Sequence, residues 1–269
     1  MFFIPRIAAS EATFLPAKAP LINRHVTLLN PCDIDIAYIY SSIDDICYAR
    51  YNFGIKLVIF HMKTNNNVEI ESCGFGEVIA RFELFTDSFY LVHSDFLGGV
   101  SFDIKYKRFL FETMVYHLSS HLGDDYRHYY NEPYLNVGFE TIKHYTNYHF
   151  SDMFDLSGGL EYKFGRRPAD LIFYNLSVIL GAKIDFVSKG IPVFIESESE
   201  IFSFHHTPNF GLKTGLYLFS FINNTLLKKG LTEEKNHTLY FQYYYGYSQV
   251  GYYFDKKESL LVFGISFIL

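Results

Sequence analysis

The stretch GVSFDIKYK, Gly99–Lys107, alternates apolar and polar residues without a break. A second stretch, GFGEVIARFEL at Gly74–Leu84, repeats much of this period. Successive side chains of a strand point to opposite faces, so both stretches predict strands with one apolar and one largely charged face. The charged face would be the outside of a soluble sandwich but the lumen of a membrane barrel, so the alternation alone leaves both folds open.

The last strand of the sequence favours the membrane barrel. One face carries large apolar residues, whereas Gly264 and Ser266 fall on the other. The residues of the apolar face are Leu261, Phe263, Ile265, Phe267 and Leu269. An exposed apolar edge of this kind promotes aggregation of a soluble domain. Outer-membrane barrels commonly end on such a strand, which the barrel-assembly machinery reads. We therefore predict an all-β fold, a closed antiparallel transmembrane β-barrel of a bacterial outer membrane, with that machinery as a partner.

Composition and spacing agree with this fold class. Aromatic residues make up 19% of the 269 residues, as 29 Phe and 23 Tyr without Trp, which suits pleated surfaces and aromatic girdles. Candidate strands such as IDIAYIY, ICYARYNF, IKLVIFH, FLFETMVYHLS and YLNVGFETI are separated by turn residues. They predict about 12 strands, with 10 to 14 open, over residues 33–269. Residues 1–32 are rich in proline and alanine and are expected to form an extended lead-in or plug-like segment.

Several classes of protein and of site are excluded or disfavoured. The net charge is −6 and the basic residues are scattered, which argues against a nucleic-acid partner. Three cysteines, Cys32, Cys47 and Cys73, match neither a disulfide framework nor a zinc site, so we expect no metal and no cofactor. No apolar run is long enough for a spanning helix or a signal peptide, so we expect a targeting segment upstream of Met1.

The charged faces of the predicted strands define a polar lumen. Its expected members are Glu77, Arg81, Glu83, Asp103, Lys105 and Glu112. The acidic residues Glu196, Glu198 and Glu200 have the spacing of one strand face and are interpreted as a further lumen row. An exposed loop or surface strand is the alternative for this row, and metal binding is a weaker one.

The segment DSFYLVHSDFLGGVSFDIKYKRFLFETMVYHLSSHLGDDY at residues 87–126 carries a distinctive motif. The motif is His-x-Ser-Ser-His-Leu-Gly-Asp-Asp-Tyr, formed by His117, Ser119, Ser120, His121, Leu122, Gly123, Asp124, Asp125 and Tyr126. With the C-terminal stretch YYYGYSQVGYYFDKK, it resembles the bacterial domain-of-unknown-function family numbered 1207. Gln249 stands where that family usually has proline. The resemblance implies an outer-membrane β-barrel of Gram-negative bacteria and no established activity.

The first motif holds a candidate catalytic group. His117, Ser119 and His121 share one strand face, and Glu112 belongs to the opposite face, which is the lumen because a carboxylate facing lipid is costly. A His two residues before a Ser matches the spacing of base and nucleophile in outer-membrane phospholipases and lipid A deacylases, an analogy of spacing only. Asp124 or Asp125 could orient the imidazole, and the backbone of Gly123 could supply an oxyanion donor. The alternative is structural: Ser119, Ser120 and Asp124 bond to a turn in which Gly123 has a positive φ, and the histidines cap the rim.

Two functions follow, with a third kept as an alternative. The first is a structural or channel-like barrel with a polar lumen. The second is a lipid hydrolase acting on outer-membrane lipid or lipopolysaccharide with Ser119 and His117 at the extracellular rim. In that arrangement the tight turn at Lys107 and Arg108 is periplasmic and the polar stretch 120–133 is extracellular. The third is a soluble lipocalin-like binding barrel. The oligomeric state is left open.

Overall fold

The computed structural model describes residues 9–15, 21, 33–86, 89–133, 137–168, 175–188, 191–202, 208–218, 237–248, 251 and 256–268. Its first strands are β1 (Ala9–Phe14), β2 (Asp33–Ser41), β3 (Ile46–Thr64), β4 (Val68–Glu83), β5 (Leu91–Tyr106) and β6 (Phe109–Leu122). The helix α1 (Asp124–Tyr130) follows. The remaining strands are β7 (Val137–Ser151), β8 (Phe154–Arg167), β9 (Leu176–Ser188), β10 (Ile191–Phe202), β11 (Asn209–Tyr217), β12 (His237–Tyr247) and β13 (Lys257–Ile268).

The twelve strands β2 to β13 form a closed antiparallel barrel, so the predicted fold class is confirmed. Each strand pairs with its neighbour in the chain, and β13 pairs with β2, from Leu260 opposite Ser41 to Ile268 opposite Asp33. Closure gives every strand two neighbours and leaves no open edge, which a sheet in lipid requires. No helix in the described part of the chain is long and apolar enough to cross a membrane.

The residues that alternate in the sequence lie in turn on the inner and the outer face of the barrel. On β5, Ser101 and Asp103 are 3% and 0% exposed, whereas Val100 and Phe102 are 56% and 47% exposed. In the last strand Leu261, Phe263, Ile265 and Phe267 lie on the more exposed face, while Leu269 is outside the described residues. Apolar side chains therefore surround the barrel, as they do not in a soluble lipocalin-like barrel. The interior holds the charged residues together with a cluster of buried apolar ones that includes Leu97, Met114 and Tyr240.

One predicted boundary between strands is wrong. The stretches ICYARYNF and IKLVIFH are not two strands but the two halves of β3. Gly54, which separates them, is buried and stays in the ladder opposite Glu77. A glycine can continue a strand where nothing makes the backbone turn, and here the pairing to β4 runs through the position without a shift.

Ion pairs bridge the interior between strands. The Lys56 ammonium on β3 lies 2.7 Å from Asp103 on β5 and 2.5 Å from Glu112 on β6. Arg81 on β4 lies 2.6 Å from Glu258 on β13. The Lys56, Asp103 and Glu112 side chains are no more than 1% exposed. Charges removed from water are tolerated only when they are paired, so these contacts hold the interior in one arrangement.

The two ends of the barrel differ. At one end β3–β4, β5–β6, β7–β8 and β9–β10 are joined by two or three residues each, including the predicted tight turn at Lys107 and Arg108. Here β1 pairs with β3 beyond the end of β2, and the backbone N–H of Leu21 donates to the buried carboxylate of Glu71 at 2.7 Å. The N-terminal segment therefore reaches the barrel interior at that residue. Connections of four to fourteen residues, including the one that contains α1, lie at the other end. The exception to this division is the longest connection, residues 218–236 between β11 and β12, which lies at the end of the short turns.

We predict that Lys56→Met lowers the free energy of unfolding by about 3 kcal/mol, because it leaves Asp103 and Glu112 buried without their shared cation. Urea unfolding in lipid vesicles, followed by circular dichroism, measures this change. Lys105→Met, at an exposed position near the turn, is the matched control and should change stability by no more than about 0.5 kcal/mol. Equal losses in both variants would contradict the role of the interior ion pairs.

Candidate functional site

Strand β6 divides the histidine-serine motif between two environments. His117, Ser119 and His121 are exposed or half-buried and point outward. Leu118 and Ser120, which alternate with them, are 2% and 0% exposed inside the barrel. The period of two therefore makes one short motif serve both the outer wall and the interior.

The inward residues of the motif join distant parts of the chain. The Ser120 hydroxyl donates to Asp95 on β5 in a very short hydrogen bond. The backbone N–H of Gly251, in the connection between β12 and β13, donates to the other Asp95 oxygen at 3.1 Å. A Cβ at Gly251 would lie 2.6 Å from Leu118 Cδ2 and 2.9 Å from Ser120 Cβ, so a larger residue would have to displace the motif. This contact brings together the two sequence regions on which the family resemblance rests.

The expected role of Gly123 as an oxyanion donor or a positive-φ turn residue is wrong. Gly123 is extended, with φ −65° and ψ 137°, and its N–H donates to the carbonyl of Val92 at 3.1 Å. Its donor is therefore already engaged. A Cβ at this position would collide with the backbone carbonyl of Leu91. Glycine is therefore required because the two backbones approach closely, and not because the position needs a positive φ.

The outward histidine His117 is held by a carboxylate that the motif does not contain. Its Nδ1 lies 2.9 Å from Oε1 of Glu140 on β7, the residue directly opposite in the ladder. A carboxylate only accepts hydrogen bonds, so Nδ1 carries the proton and Nε2 of the neutral ring keeps its lone pair. Asp124 and Asp125, the acids expected in this role, lie on the first turn of α1, and Asp124 instead faces Arg127 at 3.8 Å.

Gly138 makes room for the imidazole. It lies directly opposite Ser119 and two residues before Glu140. A Cβ built on Gly138 would be 3.5 Å from Cε1 and 3.8 Å from Nε2 of His117. The imidazole ring of His117 therefore lies along the outer wall, and its Nε2 edge points toward the Ser119–Gly138 pair. His117 and Glu140 thus form a bonded pair on the outer surface, and Ser119 lies two residues along β6 on the same face.

A second histidine contacts Ser119. The Ser119 Oγ is 3.3 Å from Nε2 of His121, whose ring packs edge-on against Phe96 at 6.1 Å. In this structure the serine hydroxyl is thus bonded to the histidine that follows it, while the histidine that precedes it is bonded to Glu140. The two histidines lie on either side of Ser119 along the same face of β6.

The residues expected in the lumen lie on the inward face. Glu77, Arg81, Glu83, Asp103 and Glu112 are 3%, 4%, 5%, 0% and 0% exposed. Lys105 also belongs to the inward face of β5, but it is exposed because it is the last residue of that face before the turn. Glu196 and Glu198 are each 8% exposed on the same inward face as Glu200, whose Oε2 accepts from Asn209 Nδ2 at 3.2 Å.

Helix α1 contributes tyrosine side chains to the interior, at the barrel end opposite the short turns. The Tyr130 hydroxyl lies 2.9 and 3.1 Å from the two carboxylate oxygens of Glu83. Partial desolvation and this hydrogen bond both raise the pKa of Tyr130. Tyr126 packs against the buried side chains of the interior. The helix therefore leans over the barrel end near which His117 and Ser119 lie.

The comparisons with known proteins concern family and fold. A family model described as "Protein of unknown function (DUF1207)" matches residues 36–268. No curated protein is detectably similar in sequence. Outer membrane phospholipase A from Escherichia coli shares 10% identity at a TM-score of 0.56, over 89% of this chain and 94% of that one. This likeness concerns the fold.

Two porins are similar at lower scores. The KdgM porin in complex with disordered oligogalacturonate shares 12% identity at a TM-score of 0.45, over 88% of this chain and 99% of that one. A mutant of the Rh. blastica porin shares 7% identity at a TM-score of 0.37, over 88% and 98%. By its likeness to outer membrane phospholipase A, the fold is like that of an outer-membrane protein.

We predict that Gly123→Ala destabilises the barrel by about 1 to 3 kcal/mol, because its methyl group must displace the Leu91 backbone. The matched control is Gly98→Ala on β5, where a Cβ meets no atom within 4 Å. Urea midpoints of the two variants and the wild type give the comparison. An unchanged midpoint for Gly123→Ala would show that the close approach at Leu91 is not a constraint.

Proposed function

Because the chain belongs to the DUF1207 family of proteins of unknown function, its activity has to be inferred from its own geometry, and we propose that it is an acyl-ester lipid hydrolase of the outer membrane. The observation that carries the proposal is the His117–Glu140 pair on the outer wall, on the same face of β6 as Ser119, whose Oγ contacts His121. The His117 and Glu140 side chains are 51% and 41% exposed there. Polar groups on a lipid-facing wall are costly, so their presence calls for a function.

The three residues can divide the chemistry of ester hydrolysis. Ser119 Oγ attacks the ester carbonyl carbon while its proton passes to Nε2 of His117, and Glu140 stabilises the resulting imidazolium. The C–O bond to the alcohol then breaks, and the alcohol leaves with the proton from His117. Water, deprotonated by His117, next attacks the acyl-Ser119 ester. The products are a fatty acid and a lipid that lacks one acyl chain.

The surroundings of Ser119 favour a lipid substrate over a water-soluble one. Phe96, opposite Ser119, is 45% exposed, and Val115 and Ile142, the next pair on the outer face, are 43% and 42% exposed. A nucleophile set in such a wall meets the acyl esters of membrane lipids without extracting them into water. Glycerophospholipid and lipopolysaccharide share this ester chemistry, and the experiment below distinguishes between them.

The orientation follows from the ends of the barrel. Short turns of outer-membrane barrels face the periplasm, and the longer loops face the outside. With this rule His117 and Ser119 belong to the extracellular half of the wall, in contact with the outer leaflet. We propose that outer-membrane lipid or lipopolysaccharide is the partner of this site, and that the apolar last strand is recognised by the barrel-assembly machinery.

A channel is the less favoured function because the interior is filled. Glu71, Asp103 and Glu112 are fully buried, and Lys56 links two of them. We predict that the refolded chain gives no steady ion conductance in planar bilayers, because ion pairs between buried side chains cross the interior from strand to strand. A stable open channel recorded at low voltage would favour the channel-like function instead.

The proposed activity is tested with the refolded chain in mixed micelles of phospholipid or of lipopolysaccharide, by measuring fatty-acid release. We expect Ser119→Ala to abolish release, and Glu140→Ala to lower kcat roughly 10²- to 10⁴-fold because His117 loses its orientation and its proton partner. The lipid class that releases fatty acid identifies the substrate. An unchanged rate in Ser119→Ala would end the proposal.

The matched control for Glu140 is the double variant Asp124→Asn and Asp125→Asn. These carboxylates lie on α1 and do not reach His117, so the rate should stay within about twofold of the wild type. A large loss in the double variant with no loss in Glu140→Ala would assign the orienting role to α1 instead.

A further inference from the structure

An ester bound at Ser119 must place its acyl chain on one side of β6. On the β7 side the ladder continues from Ser119 to Gly138 and then to Arg167, and from His117 to the carboxylate of Glu140. Charged groups on this side suit a lipid headgroup. On the β5 side, the residues aligned with Ser119 and with His117 across β5, β4 and β3 include no charged one. This side is therefore suited to a hydrocarbon chain.

The β5 side has an open floor beside His117. Gly98 lies directly opposite His117, Gly76 on β4 lies opposite Gly98, and Ile55 on β3 lies opposite Gly76. Both glycines point outward, and a Cβ on Gly98 would meet no atom within 4 Å. From His117 to Ile55 the row crosses three inter-strand spacings, or about 14 Å. Gly74, opposite Val100 among the next outward residues, adjoins this floor, and the Ile59 side chain reaches to 3.5 Å from where a Cβ of Gly74 would lie.

Apolar side chains border the floor on both sides. Phe96 and Val78 stand in the row of Ser119 and are 45% and 37% exposed. Val100, in the row of Gly74, is 56% exposed, and Leu57 beyond Gly74 is 59% exposed. The result is a shallow groove that begins at His117 and is apolar along its whole length.

We propose that this groove, floored by Gly98, Gly76 and Gly74, holds the acyl chain that Ser119 releases, and that it makes the enzyme selective for long-chain acyl esters. The inference rests on the proposed function. Contacts between the hydrocarbon chain and the barrel wall then determine which substrate is hydrolysed, whereas the catalytic residues contact only the ester.

The test is the chain-length dependence of hydrolysis by Gly76→Leu, with p-nitrophenyl butyrate and p-nitrophenyl palmitate in detergent micelles. Gly76 is one strand beyond Gly98 and does not contact His117, and a Cβ there would lie 3.7 Å from the nearest atom, so the barrel should fold. We expect kcat/KM for the palmitoyl ester to fall roughly tenfold and for the butyryl ester to change less than twofold. Gly158→Leu, at an outward glycine of β8 on another part of the wall, is the matched control and should alter neither rate.

The outcomes separate the two proposals. An active wild type whose Gly76→Leu variant shows no chain-length effect overturns the acyl groove and leaves Ser119 catalysis standing. Equal loss on both esters also overturns it, because the substitution then disturbs the catalytic group rather than chain binding. A wild type that hydrolyses neither ester nor any membrane lipid ends the proposed function, and the groove assignment ends with it.

Discussion

The structure depends on closure of the sheet around a charged interior. A strand in lipid has no water to satisfy its backbone, so its N–H and C=O groups must all be paired, and only a closed ladder does this. The pairing of β13 with β2 completes that ladder. Once the sheet is closed, every second side chain points inward, and the charged half of each strand must find partners there. Lys56 with Asp103 and Glu112, and Arg81 with Glu258, are such partners.

The same closure explains why a polar group on the outer wall is significant. Charged side chains such as Lys56 and Arg81 have partners inside the barrel, but His117, Ser119 and Glu140 lie where apolar residues are the rule. Their geometry is specific, since Nδ1 of His117 meets Glu140 at 2.9 Å and Gly138 leaves the ring space to lie along the wall. In the proposed function the site works from the side of the barrel, and the packed interior serves as its rigid support.

The sequence alone predicts the fold well and the site only in part. The alternation in Gly99–Lys107 and in the last strand requires no tertiary information, because the period of two is a local property of the chain. The outward direction of His117 and Ser119 follows from the same parity, with Glu112 marking the inside. Glu140 was not predicted, because its place opposite His117 is set by the register of β6 with β7. That register depends on how the connection with α1 folds, which no periodicity reveals. The role of Gly123 was mistaken for a similar reason, since the collision that requires glycine is with Leu91, a residue distant in sequence.

The most direct measurement is covalent trapping of the nucleophile. An alkyl fluorophosphonate forms a bond from phosphorus to the oxygen of an activated serine and releases fluoride, and peptide mass spectrometry of the labelled barrel locates the adduct. The account predicts one adduct at Ser119 in the wild type and none in His117→Ala. Labelling of another serine, or no labelling of a barrel that hydrolyses lipid, would contradict it.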